Sequence, residues 1–141
     1  MSFREKRAWI ELLSVAAVYG VYFFLFGRAI LAARGASFGF LAPVTGAIIA
    51  LIVIQTILTI AASASAPSEA RAPYDERDRL IDLAASRAGF CVVQAGVFVA
   101  IAALALGCSV AVTINGLLAV MVAGELAKSG AQVIGYRRSA A

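Results

Sequence analysis

Four long apolar runs, separated by short polar or breaker-rich segments, set the pattern of this chain. The first follows a basic head (Arg4, Lys6, Arg7) and ends against Arg28 and Arg34. The second holds the uninterrupted stretch Ile48-Ile49-Ala50-Leu51-Ile52-Val53-Ile54. The third and fourth fill most of the C-terminal half and finish at Tyr136-Arg137-Arg138. Each run has the length of a helix that crosses a hydrocarbon core of about 30 Å, so the predicted spans are about 8–30, 40–62, 88–108 and 115–136. A loop over about 63–87 joins the two halves, with loops of a bilayer protein kept outside the hydrocarbon.

Breakers punctuate this pattern. Gly35-Ala36-Ser37-Phe38-Gly39 reads as the first turn, and Pro43 falls in the first turn of the second helix, where its missing N–H costs little. Pro73 stops any earlier helix, and Asp75 is a good N-cap for a new one. Leu80, Leu83, Ala84 and Arg87 then follow helical spacing, and only Gly89 interrupts the passage to the third span. A short interfacial helix leading straight into that span is expected. Between the third and fourth spans the return begins at Gly107-Cys108-Ser109, and Asn115-Gly116 is the strongest turn signal, so the turn is placed between them. The fold expected is one 141-residue all-α transmembrane domain, a four-helix bundle made of two hairpins.

Composition sharpens the picture. The chain is 62% hydrophobic and 14% charged, with a mean hydropathy of +0.93, whereas soluble domains carry about 25% charged residues. The solvent for most of this chain is therefore lipid. A net charge of +4 does not point to nucleic acid, because the basic residues flank the apolar runs and read as topology determinants and headgroup contacts. The first run is too long for a cleaved signal peptide and lacks an Ala-x-Ala site. There is no His, which removes the commonest metal ligand and leaves no haem or chlorophyll ligand to argue. No cofactor is expected. Cys91 and Cys108 are 17 positions apart in what reads as one helix, about 25 Å, too far for a disulfide; small buried thiols are expected.

Orientation follows from the basic residues. With four spans, the head, the middle loop and the tail share one face, carrying Arg4, Lys6, Arg7, Arg71, Arg77, Arg79, Arg87, Arg137 and Arg138. The other face has Arg28 and Arg34. The positive-inside rule then puts both termini in the cytoplasm. Trp9 reads as an interface anchor, and part of the cluster Tyr19, Tyr22, Phe23, Phe24 and Phe26 as a packing surface.

Inside the spans, Glu125 and Lys128 stand out. Glu125 is 11 residues before Tyr136, roughly 16 Å from the end of its span and near the midplane. The i, i+3 spacing puts the two on one face, where they pair. Charges at such depth suggest function by default, but a neutral pair holding the bundle together is the simpler reading, with Lys128 snorkelling outward. Glu11, Gln55, Thr59 and Gln94 fall at a comparable level and with Lys128 form an expected polar layer, either interhelical glue or a small cavity. Gly96 with Ala100, and Ala119 with Ala123, allow close helix approach within the chain or between copies.

The segment Asp75, Glu76, Arg77, Asp78, Arg79 and Asp82 is the other concentration of charge. Asp75 attracts Arg79 at i, i+4, and Asp78 repels Asp82. A solvated helix and a surface for a protein partner both fit. Metal binding does not, since neither loop spacing nor a suitable Gly is present. Paired carboxylates without a nucleophile or pocket do not make a hydrolase.

On Asp75-Glu76-Arg77-Asp78, Ile81, Ala84, Arg87, Gly89, Phe90, Gly124-Glu125-Leu126 with Lys128, and Tyr136-Arg137-Arg138, the chain resembles a group of uncharacterised bacterial small four-span inner-membrane proteins. These carry a cytoplasmic Asp-Glu-Arg-Asp motif before the third span and a Tyr-Arg-Arg tail. The resemblance covers roughly residues 70 to 138 and implies a bacterial inner-membrane location, with no activity attached. Proteins that look like this often accompany a small helix-turn-helix regulator, which suggests signalling.

The expected function is that of a non-enzymatic regulatory or accessory subunit that binds a protein partner, cytoplasmic or membrane-bound, through the Asp75–Asp82 helix, or that pairs as a homodimer. A small dimeric proton-coupled or cation transporter using Glu125 is the alternative. A structural subunit of a larger membrane complex is the third.

Overall fold

Asp75 caps a helix start: its carboxylate Oδ1 accepts a hydrogen bond from the Glu76 N–H at 2.7 Å, with extended backbone at φ −79°, ψ 152°. This satisfies one of the donors that a helix start leaves without a partner. The computed structural model describes residues 3–32, 39, 41–65, 67 and 75–138. Helix α1 spans Phe3–Ala32, α2 Leu41–Ser65, α3 Glu76–Ala105 and α4 Val110–Arg138. The turn read at 35–39, Gly39 apart, and Glu69, Arg71 and Pro73 of the middle loop lie outside the described residues. Among the described residues there is no strand.

All four helices are long and apolar enough to cross a membrane, and even α2, with 25 residues, reaches roughly 38 Å. The surface agrees with that length. Phe24, Leu106, Phe98 and most of the large aliphatic side chains are exposed, and α2 has no buried residue at all. So much contiguous apolar surface suits lipid. The chain is an all-α, multi-pass membrane protein built as a four-helix bundle.

Within the bundle, α1 packs between α2 and α4, and α3 lies along α4 in the most extensive helix contact. Small residues make that contact possible. Ala85, Gly89 and Ala100 are buried on α3, and Gly96 continues the same stripe. A Cβ added to Gly89 would lie 2.9 Å from the Gly124 carbonyl oxygen; one added to Gly96 would lie 2.4 Å from Val120 Cγ1. The Gly96 and Ala100 pair thus serves packing inside the chain, while Ala119 and Ala123 face outward. On the other side of α4, the buried Val15, Tyr19, Tyr22 and Ile30 of α1 meet Val112, Leu118, Val122 and Leu126. Tyr22 donates its hydroxyl hydrogen to Asn115 Oδ1 at 2.6 Å, and Asn115 Nδ2 donates to the Ala111 carbonyl at 2.9 Å. Of the aromatic cluster, Tyr19, Tyr22 and Phe23 are packing residues and Phe24 is exposed.

Two details differ from the sequence reading. The turn between α3 and α4 is complete by Ser109, because Gly107 takes φ +88° and the Ser109 hydroxyl accepts from the Val112 N–H at 3.3 Å, capping α4. Asn115 therefore lies inside α4, where Tyr22 satisfies its polar side chain, and it makes no turn. Cys91 and Cys108 are exposed free thiols, not buried ones. Cys91 falls on the side of α3 that α4 does not cover, and Cys108 belongs to the turn beyond the end of α3.

Candidate functional site

Three helices bring polar stripes to the same end of the bundle, where α1 and α3 begin and α4 ends. On α1 the stripe is Arg4, Arg7 and Glu11; on α3 it is Asp78, Asp82 and Ser86; on α4 it is Lys128, Gln132 and Tyr136. Steps of three and four residues keep each set on one helix face. The stripes are joined by ion pairs and hydrogen bonds. Arg4 Nη1 pairs with Asp78 Oδ2, tying α1 to α3. Lys128 Nζ lies 3.3 Å from Glu11 Oε1, tying α4 to α1. Gln132 Nε2 donates to Asp82 Oδ1 at 2.9 Å, tying α4 to α3. At the rim, Arg137 Nε is 3.9 Å from Glu5 Oε1, and its guanidinium sits 5.3 Å from the centre of the Trp9 ring.

These side chains line a partly open cavity of about 440 Å³. Phe3, Arg4, Arg7, Ala8 and Glu11 form its α1 wall, Asp82 and Ser86 its α3 wall, and Lys128, Gln132 and Tyr136 its α4 wall. A smaller cavity of about 110 Å³ lies on the α2 side, lined by Arg7, Ile10, Glu11, Gln55 and Thr59. Arg7 and Glu11 border both.

The expected polar residues divide between this site and the outer surface. The expected Glu125–Lys128 ion pair is formed, at 3.5 Å, and Glu11 of α1 is a second carboxylate on Lys128, at 3.3 Å. The Glu125 side chain is 51% exposed and lines neither cavity. Glu11 lies about 12 Å along α1 from the helix start at Phe3. Lys128 is about 15 Å from the end of α4, a similar distance from that end of the bundle. Gln55 and Thr59 join Glu11 at the smaller cavity. Gln94 is exposed, because it lies about 140° around α3 from Gly89, whose face meets α4.

The charged start of α3 is likewise split. Asp75, Glu76, Arg77 and Arg79 are exposed, whereas Asp78 and Asp82 are half-buried and tied to Arg4 and Gln132. Asp75 uses its carboxylate on the helix cap, and the expected Asp75–Arg79 ion pair is not formed. Among the described residues no three acidic or thiol side chains converge on a point that would hold a metal ion.

Arg4, Arg7, Ser86, Gln132 and Tyr136 are cavity residues that the pattern of spans alone did not single out. A signal for them exists, in the spacings 4, 7, 11 and 128, 132, 136 at the two helix ends. Tyr136, expected as an interface residue, is buried. Ser129 Oγ and Gln132 Oε1 are buried atoms without a hydrogen-bond partner. No protein-family model, curated protein or solved structure matches this chain.

Proposed function

We propose that this chain is a non-enzymatic accessory or regulatory subunit of a bacterial inner membrane, with both termini in the cytoplasm and the start of α3 as its contact with a protein partner. The carrying observation is the two-sided start of α3. Asp78 and Asp82 face inward and are tied to α1 and α4, while Asp75, Glu76, Arg77 and Arg79 are exposed. A partner seated on the outer set would bear on a helix whose inner face is bonded to two others, so contact there reaches the cavity directly. The cytoplasmic orientation is supported by the charge balance. The basic residues of α1's start, α3's start and α4's end cluster at one end of the bundle, whereas Arg28 lies towards the other end of α1.

The test is gentle-detergent purification from native membranes with the tagged full chain. The expected result is one partner recovered at constant ratio with the wild type and lost with Glu76→Lys plus Arg77→Glu, at an unchanged unfolding midpoint. Equal recovery with both chains, or no partner at all, overturns the reading. A second reading, proton or cation transport, is favoured by Glu11, which borders both cavities and pairs with Lys128. In proteoliposomes it requires a flux that Glu11→Gln abolishes, and it moves the carrier role away from Glu125.

A further inference from the structure

Most charges around the larger cavity cancel in pairs. Arg4 is matched by Asp78, and Lys128 by Glu11; the second carboxylate on Lys128, that of Glu125, does not line the cavity. Two opposite charges remain. Arg7 lines the cavity, and among the described residues it makes no ion pair. Asp82 lines it from the α3 wall and, among the described residues, makes no ion pair but accepts a hydrogen bond from the neutral amide of Gln132. The two face one space without meeting each other. Beside Asp82, the Gln132 oxygen is buried and has no donor. Because an ionised carboxylate only accepts, the amide nitrogen must face Asp82, which leaves that oxygen as the unsatisfied atom. Buried acceptors are normally partnered, so this oxygen, closed off from the cavity in the present side-chain position, is short of a donor.

We infer that the cavity binds a small zwitterion, its anionic group on Arg7 and its primary ammonium on Asp82 and, after a modest turn of the side chain, on Gln132 Oε1. A guanidinium suits a phosphate or carboxylate in two-pronged contact. An ammonium supplies three donors, enough for both the carboxylate and the amide oxygen. Phe3 and Ala8 add an apolar wall for the methylenes between the charged groups. The volume, about 440 Å³, is that of a small-ligand pocket. Its place at the helix ends is where lipid headgroups lie in a spanning protein. The same chemistry is presented by an aminophospholipid headgroup and by a free zwitterion such as phosphoethanolamine.

The experiment titrates the purified full chain in mixed micelles with short-chain phosphatidylethanolamine, phosphatidylcholine and phosphatidylglycerol. The quaternary ammonium of choline has no N–H to donate, and glycerol has no positive charge. Phosphatidylethanolamine is expected to bind at least about tenfold more tightly than either, the factor for a charged hydrogen bond made or lost. Arg7→Gln and Asp82→Asn are each expected to weaken it by roughly tenfold, whereas Arg28→Gln, towards the other end of α1, leaves it unchanged. Competition by free phosphoethanolamine assigns the site to a soluble zwitterion, and its failure to compete assigns the site to the lipid; either upholds the chemistry. Equal binding of the three lipids, no binding, or wild-type binding by both cavity variants at an unchanged unfolding midpoint overturns it.

Discussion

Replacing Gly89 by Ala adds a single methyl where the backbones of α3 and α4 meet. The new Cβ would lie 2.9 Å from the Gly124 carbonyl oxygen and 3.1 Å from Lys128 Cβ, against ordinary contacts of 3.4 Å or more. A side-chain tip could turn away, but a helix carbonyl cannot, so the two helices must separate by roughly half an ångström locally, a displacement that close-packed interiors resist. Such overpacking costs about 1–3 kcal/mol. Alanine also favours the helix over glycine by about 1 kcal/mol, which blurs the result for a single variant. Gly130→Ala removes that ambiguity. A Cβ there has no neighbour within 4 Å, so this variant carries the propensity gain without the clash. The difference between the two variants isolates the steric term and should be about 1–3 kcal/mol against Gly89→Ala. Reversible unfolding in mixed micelles, followed by helical circular dichroism, measures it. Stabilities that agree within about 0.5 kcal/mol, the ordinary scatter of independent substitutions, would refute the close approach.

The remaining predictions concern polar groups between helices. Tyr22→Phe leaves Asn115 Oδ1 without its donor and should cost about 1–2 kcal/mol by the same assay. In an Asn115→Leu background the same change should cost clearly less, because no acceptor is left stranded. Lys128→Met deprives the half-buried Glu11 of its cation and should destabilise the bundle by about 1–2 kcal/mol, less than a fully buried pair because the site is partly wet. Glu125→Gln should stay within about 0.5 kcal/mol of wild type, since that carboxylate is half exposed and Lys128 keeps Glu11. A larger loss for Glu125→Gln than for Lys128→Met would invert the assignment.

Helices and their lipid-compatible length were legible because the signal is local: runs of apolar residues, a capping Asp75 and a Gly107 in the return are read one segment at a time. The candidate site was legible only in part. Glu11, Lys128, Gln55 and Thr59 stood out as polar groups in apolar runs, and they do gather at the two cavities. Gln94 stood out in the same way and faces outward, because which side of α3 is covered depends on where its glycines meet α4. Asn115-Gly116 carried the composition of a turn, yet a hydroxyl supplied by α1 lets Asn115 stay inside a helix.

By itself the sequence determined the solvent, the number of membrane-length helices among the described residues and the location of most breaks between them, since each follows from transfer free energy and backbone chemistry along a single segment. Only the tertiary structure decided that Glu11 joins Glu125 on Lys128, which residues of the Asp75–Asp82 stretch turn inward, and that Arg7 and Asp82 share a cavity without pairing. Those outcomes depend on helix rotation and register. Both are set by close contact between side chains far apart in the chain, at glycines such as Gly89 and Gly124, where a single methyl group would change the spacing.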